Sequence, residues 1–186
     1  MGELHRGWLA GVRHCASPNF DARPPGCRVR LIVVHAISLP PDQFGGPGVE
    51  ALFTNCLDPR AHPYYAQIHE LRVSAHFFIR RDGALTQFVS TEERAWHAGA
   101  SSWRGASRCN DFSIGIELEG CDTMPFEPVQ YARLVELVRL LQAHYPIEDV
   151  VGHADVAPGR KSDPGPCFDW IQFRRLLAGA GVDRET

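Results

Sequence analysis

The run Leu31-Ile32-Val33-Val34 constrains this chain more than any other stretch. Four consecutive apolar residues, three of them β-branched, read as a strand buried on both faces, with packed structure above and below it. The run ends in His35, ahead of a Pro- and Gly-rich loop over residues 39–47, so an imidazole stands where a strand end meets a long loop. Residues 39–67 continue that composition, with Asp58-Pro59 and His62-Pro63 as turn signals. They predict an irregular excursion with at most a short helix near residues 49–53. Excursions of this length within a compact domain are usually functional or disordered.

Residues 75–80 and 84–89 are β-prone and flank Arg81-Asp82-Gly83, and Asp-Gly between two such segments signals a hairpin. A further strand over residues 112–119 alternates. Ile114, Ile116 and Leu118 point one way, while Ser113, Gly115, Glu117 and Glu119 point the other, giving one apolar sheet face and one that carries carboxylates. From Glu127-Pro128, Tyr131, Leu134, Val135, Val138 and Leu141 recur at helical spacing until Tyr145-Pro146 stops the pattern. Val150-Val151-Gly152 predicts a short strand ending at His153, and a last amphipathic helix is expected over about residues 169–177.

The chain has 186 residues, 44% of them hydrophobic, enough for one compact domain spanning residues 1–186. A net charge of −3 gives no general attraction to phosphate backbones, so nucleic acid is not an expected partner. The first residues lack a basic stretch followed by an apolar one, and no apolar stretch approaches the roughly 20 residues that span a bilayer. A soluble cytoplasmic protein with no membrane partner is the expectation. The six cysteines show no C-x-x-C pair and read as buried free thiols in a reducing compartment.

A hydrolytic zinc site needs three side-chain ligands and an open position for water. His35 and His153 each follow a β-branched run, so two strand ends can present imidazoles at one sheet edge. Asp163 lies on a loop stiffened by Pro158, Pro164 and Pro166, and in extended backbone Lys161 projects to the same side. Glu117, on the polar sheet face, is a candidate general base. Each residue also has a plainer reading: a hydrogen-bonded core histidine, a solvated strand glutamate, a turn-forming aspartate before proline. Spacing alone leaves both open.

Residues 33–41, 44–46, 74–76, 94–99, 109–120 and 160–165 together resemble the cytosolic 1,6-anhydro-N-acetylmuramoyl-L-alanine amidases of peptidoglycan recycling. The resemblance runs from about Gly7 to Phe173. It implies an α/β fold with α+β character, like that of peptidoglycan recognition proteins and phage amidase lysozymes: a central mixed β-sheet flanked by helices, with a zinc cleft on one sheet face. It places the zinc ligands on His35, His153 and Asp163, the acid/base on Glu117, and an oxyanion-stabilising lysine on Lys161. Zn2+ is the one cofactor implied.

The implied reaction is hydrolysis of the amide between N-acetylmuramic acid and L-alanine in soluble anhydromuropeptides, and through it control of β-lactamase induction. By the same resemblance Arg72 and Arg108 are candidates for the stem-peptide carboxylates, and Tyr64 and Trp96 offer flat surfaces to the sugar or stem. We expect a monomer. Three positions depart from the family's commoner pattern: Ala36 where an Asn is expected, Ala154 where Cys or Ser is usual, and Gly159 where Glu is usual. A non-catalytic peptidoglycan-binding module, an amidase of polymeric wall, and a structural metal site made of His35, His76, His97 and His153 are the competing readings.

Overall fold

In the computed structural model, which describes residues 2–179, six strands form one mixed sheet. In chain order they are β1 (Arg13–His14), β2 (Leu31–Ile37), β3 (Phe77–Ile79), β4 (Leu85–Gln87), β5 (Ser113–Glu119) and β6 (Asp149–Gly152). Across the sheet the order is β6-β2-β5-β3-β4-β1. β2 is parallel to both β6 and β5, β5 is parallel to β3, the β3/β4 hairpin is antiparallel, and β1 runs parallel to β4 at the edge. The buried run thus lies between two parallel neighbours, as a strand apolar on both faces requires.

Alternation decides which face each residue joins. Ile32 and Val34 of β2 and Ile114, Ile116 and Leu118 of β5 pack with Leu134, Val138 and Leu141 of the long helix. That helix, Pro128–His144, has Pro at its first turn, and the Gln130 side-chain oxygen accepts from Glu127 N at 3.0 Å. Leu31 and Val33 turn to the opposite face and pack with Ala98, Phe112, Val151 and Val156. His35, Gly115 and Glu117 share that second face, because they continue the same alternation. The helix Trp170–Leu177 closes the chain's described part, with Asp169 capping it through Gln172 N.

Several expectations are corrected. Besides the helix Gly48–Phe53, the excursion contains a second one, Pro63–Ile68. His62-Pro63 is a helix start, not a turn: Pro63 occupies the first turn and His62 Nδ1 accepts from Tyr64 N at 3.1 Å. β6 stops at Gly152, and His153 opens a four-residue helix, His153–Val156. The carboxylate-bearing face of β5 is covered, and Glu117 and Glu119 are both buried. The cysteines are free thiols, but Cys56 is exposed and only Cys109 and Cys121 are buried. Among the described residues no helix is long and apolar enough to cross a membrane.

Candidate functional site

Strand register builds the site. On the parallel pair β2/β5, His35 stands opposite Glu117, and on β2/β6, Val34 stands opposite Gly152. The next residue after Gly152 is His153, so two imidazoles and a carboxyl group meet at the carboxyl ends of three adjacent strands. The loop after the short helix returns to them, held by Ala154 N donating to Asp163 O at 2.9 Å. His35 Nδ1 lies 3.0 Å from His153 Nδ1 and 3.1 Å from Asp163 Oδ2. His153 Nδ1 is 3.0 Å from the same carboxylate oxygen. Donor atoms of the three residues lie within 4.8 Å of one another, close enough to hold one metal ion.

Burial sets the electrostatics. His35 is 1% exposed, and desolvation lowers its pKa to about 4, against the opposing pull of Asp163. Burial alone would raise the Asp163 carboxyl, but hydrogen bonding and attraction from His153 and His35 hold it well below the usual carboxylate range. Glu117 is pushed well above its ordinary value, first by burial, then by repulsion from Asp163, with Lys161 partly offsetting both. Its Oε2 is buried with no hydrogen-bond partner among the described residues. A native buried carboxylate oxygen without a partner points to a ligand the protein does not supply. Two imidazole nitrogens and one carboxylate oxygen are also a donor set suited to zinc with one position left open.

A cavity of about 330 Å³ opens over these groups and is lined by His35, Glu117, His153, Lys161, Asp163, Tyr64 and Trp96 among others. The structure therefore brings together the five core candidates with both aromatic ones. Trp96 is fixed by its ring N–H donating to Asp21 Oδ1 at 3.0 Å. Arg72 borders an adjoining groove shared with Trp96, Arg160 and Lys161. Arg108 stands apart, exposed and paired with Asp111 at 3.2 Å, in left-handed backbone with φ of 62°. His76 does not join the metal-type cluster: its Nδ1 accepts from Gly115 N at 3.0 Å and its other nitrogen meets Glu93 O at 3.1 Å.

The three departures fall in distinct places. Ala36 lines the cavity, and Ala154 contributes the backbone N–H that holds the Asp163 loop. Gly159 has φ of 76°, a conformation that favours glycine over the glutamate usual there. Sequence reasoning gave no role to Arg160, whose guanidinium donates to Ala98 O at 2.6 Å and Ala100 O at 2.8 Å, joining two loops of the cleft. It considered His97 only as part of a structural metal site, whereas its Nδ1 lies 2.9 Å from His35 Nε2. Those contacts span about 60 positions of chain, and no local pattern encodes them.

Two imidazoles at the ends of parallel strands, an aspartate returned to them by a loop, and a buried acid beside them in a cleft are the arrangement of a hydrolase-type centre. The chain belongs to the N-acetylmuramoyl-L-alanine amidase family, whose model matches residues 25–166, and is an amidase by that membership. It is 54% identical over 177 residues to the 1,6-anhydro-N-acetylmuramyl-L-alanine amidase AmpD of Escherichia coli K12, covering 94% of this chain and 97% of the relative. A crystal structure of a selenomethionine AmpD derivative superposes with a TM-score of 0.91 at 55% identity, over 94% of this chain and 98% of that one. The amidase AmiD from E. coli, solved with anhydro-N-acetylmuramic acid-L-Ala-D-gamma-Glu-L-Lys, superposes with a TM-score of 0.59 at 35% identity, over 83% of this chain and 58% of that one. The expected mixed sheet with flanking helices is the fold observed.

Proposed function

We propose that this chain hydrolyses the amide between the lactyl group of 1,6-anhydro-N-acetylmuramic acid and L-alanine in soluble muropeptides, with zinc held by His35, His153 and Asp163. The observation that carries the reading is the convergence of that donor set with the unpartnered Glu117 oxygen in one cavity. Near-complete mutual coverage with AmpD supports the anhydromuropeptide as substrate rather than polymeric wall.

When bound, the ion supplies Lewis-acid polarisation of the scissile carbonyl and lowers the pKa of water toward ~7. Glu117 takes a proton from the attacking water and passes it to the departing L-alanine nitrogen; the amide C–N bond breaks, leaving a lactyl carboxylate and a free amine. Burial raises the proton affinity of the Glu117 carboxylate, which suits its taking up the proton of the attacking water. Lys161, at the cavity wall, opposes the negative charge that develops on the carbonyl oxygen. Tyr64 and Trp96 offer flat surfaces to the sugar or stem, and Arg72, bordering the adjoining groove, offers a cation to a stem carboxylate, a role for which Arg108 stands outside the cavity lining.

A six-stranded sheet with the long helix packed on it forms the main core of the described residues, which supports reading residues 1–186 as one domain, and we take it to act as a monomer. Six free thiols suit a cytoplasmic, reducing setting. The test is mass spectrometry of an anhydromuropeptide incubated with the protein, with and without a chelator. Release of the free peptide only without chelator is expected; intact substrate under both conditions refutes the activity, and equal release under both refutes the metal.

A further inference from the structure

We propose that His97 is a positioning residue that sets the tautomer of His35 and so fixes which of its ring nitrogens faces the metal. The inference rests on the metal reading of the cleft, and it is carried by a chain of hydrogen bonds whose direction can be worked out from one end.

Ser113 Oγ lies 2.6 Å from the carbonyl oxygen of Cys109. A carbonyl has no proton to give, so the single hydroxyl proton of Ser113 is spent on that contact. The same oxygen is 3.1 Å from His97 Nε2 and is left to accept, which places the His97 proton on Nε2 and leaves Nδ1 bare. That bare nitrogen is 2.9 Å from His35 Nε2, so His35 donates through Nε2. The consequence falls on the far side of the ring: His35 Nδ1 keeps a free lone pair, and this is the atom beside His153 Nδ1 and Asp163 Oδ2. An N–H at Nδ1 would instead fill the ligand position.

The surroundings hold His97 in place for this task. Its backbone N donates to Asn110 Oδ1 at 3.2 Å, and Ala98 N donates to the same oxygen at 2.8 Å. Its ring lies against β5 where Gly115 has no side chain: a Cβ there would stand 2.4 Å from His97 Cγ. Ligand histidines of metal sites characteristically donate their second nitrogen to a fixed acceptor, and loss of such an acceptor weakens the metal site. Here the acceptor is itself a histidine, whose own proton is assigned by a serine.

Zinc affinity, read by competition with a chromophoric chelator, tests the proposal without reference to turnover. His97→Leu, which removes the acceptor, should weaken zinc binding roughly 10- to 100-fold. His97→Asn, whose side-chain oxygen can take the place of Nδ1, should restore most of that loss, which a merely space-filling role does not predict. Long-range 1H–15N spectra of the imidazoles in the zinc-loaded wild-type protein need no variant to fold, and should show His97 protonated on Nε2 alone. Wild-type-like affinity in folded His97→Leu, or a proton on His97 Nδ1, overturns the proposal while leaving the zinc reading intact. A wild-type protein that binds no zinc overturns both. Loss of zinc in His35→Ala together with full retention in His97→Leu sinks this inference alone.

Discussion

Gly115→Ala adds one methyl group at the point where the sheet meets the cleft. Its effect is worked out from space alone, because Gly115 lies in regular strand β5 and its backbone suits any residue. The new Cβ would stand 2.4 Å from His97 Cγ and 2.7 Å from its Cδ2 and Nδ1, where ordinary contact begins at 3.4 Å. β5 is held between β2 and β3 on both sides, so the strand is not free to retreat and the ring must move. Overpacking of this kind costs about 1–3 kcal/mol. Displacing the ring also removes partners from His35 Nε2 and Ser113 Oγ, each buried polar group left unpaired costing about 1–3 kcal/mol. Against this, alanine restricts the unfolded chain and returns about 0.4–1 kcal/mol. The net is a destabilisation of about 2–9 kcal/mol, the low end if the displaced ring keeps part of its hydrogen bonding, which for a domain of this size lowers Tm by at least roughly 4 °C. Calorimetry on chelator-treated wild-type and variant protein measures it free of any metal contribution. A Tm within 2 °C of wild type would refute the reasoning, since the ring would then have room to yield.

Glu117→Gln should keep the fold and the zinc but lower turnover on anhydro-N-acetylmuramyl tripeptide on the order of 10²-fold or more, measured at matched zinc content. Glu119→Gln should act on stability first, because Glu119 accepts from Gly45 N at 2.6 Å and Arg81 N at 3.0 Å and pairs with Arg80; a dead Glu119→Gln beside an active Glu117→Gln would reverse the assignment of the base. His153→Ala should lose zinc by elemental analysis, whereas Cys167→Ser should retain it, since the Cys167 thiol faces Asp122 O at 3.1 Å; zinc kept in the first or lost in the second contradicts the ligand set. Burial lowers the pKa of His76 to about 3, so the unfolded chain takes up a proton near pH 6.5 that the folded protein refuses. From that residue alone, folded stability is full above pH 6.5 and falls by about 1.4 kcal/mol per unit as pH drops toward 3. Urea midpoints of the metal-free protein at pH 6.5 and 5.0 should show a shallower slope in His76→Asn than in wild type, and equal slopes would exclude His76 as a contributor.

The elements legible in the sequence are those whose evidence lies within one segment. A β-branched run, an alternating strand, an Asp-Gly turn and a helical repeat opened by proline each report local backbone preference, and β2, β5, the β3/β4 hairpin and the long helix all appear where those signals stand. The helix Pro63–Ile68 was hidden by a local ambiguity, because His-Pro serves a turn and a helix start alike. The chemistry-bearing residues were also nameable from the sequence and its resemblance. Their meeting was not, because it depends on parallel register: sliding β5 by one position against β2 would carry Glu117 to the other sheet face, and no property of either strand alone prevents that. Tertiary structure likewise decided that Glu119 is tied to backbone N–H groups while Glu117 Oε2 stays unpartnered, although both glutamates share one strand face and look alike in sequence. It decided, too, which nitrogen His35 presents, through a histidine 62 positions away in the chain. Local propensity determines what each segment can be; only the packing of distant segments fixes where a proton or a lone pair points.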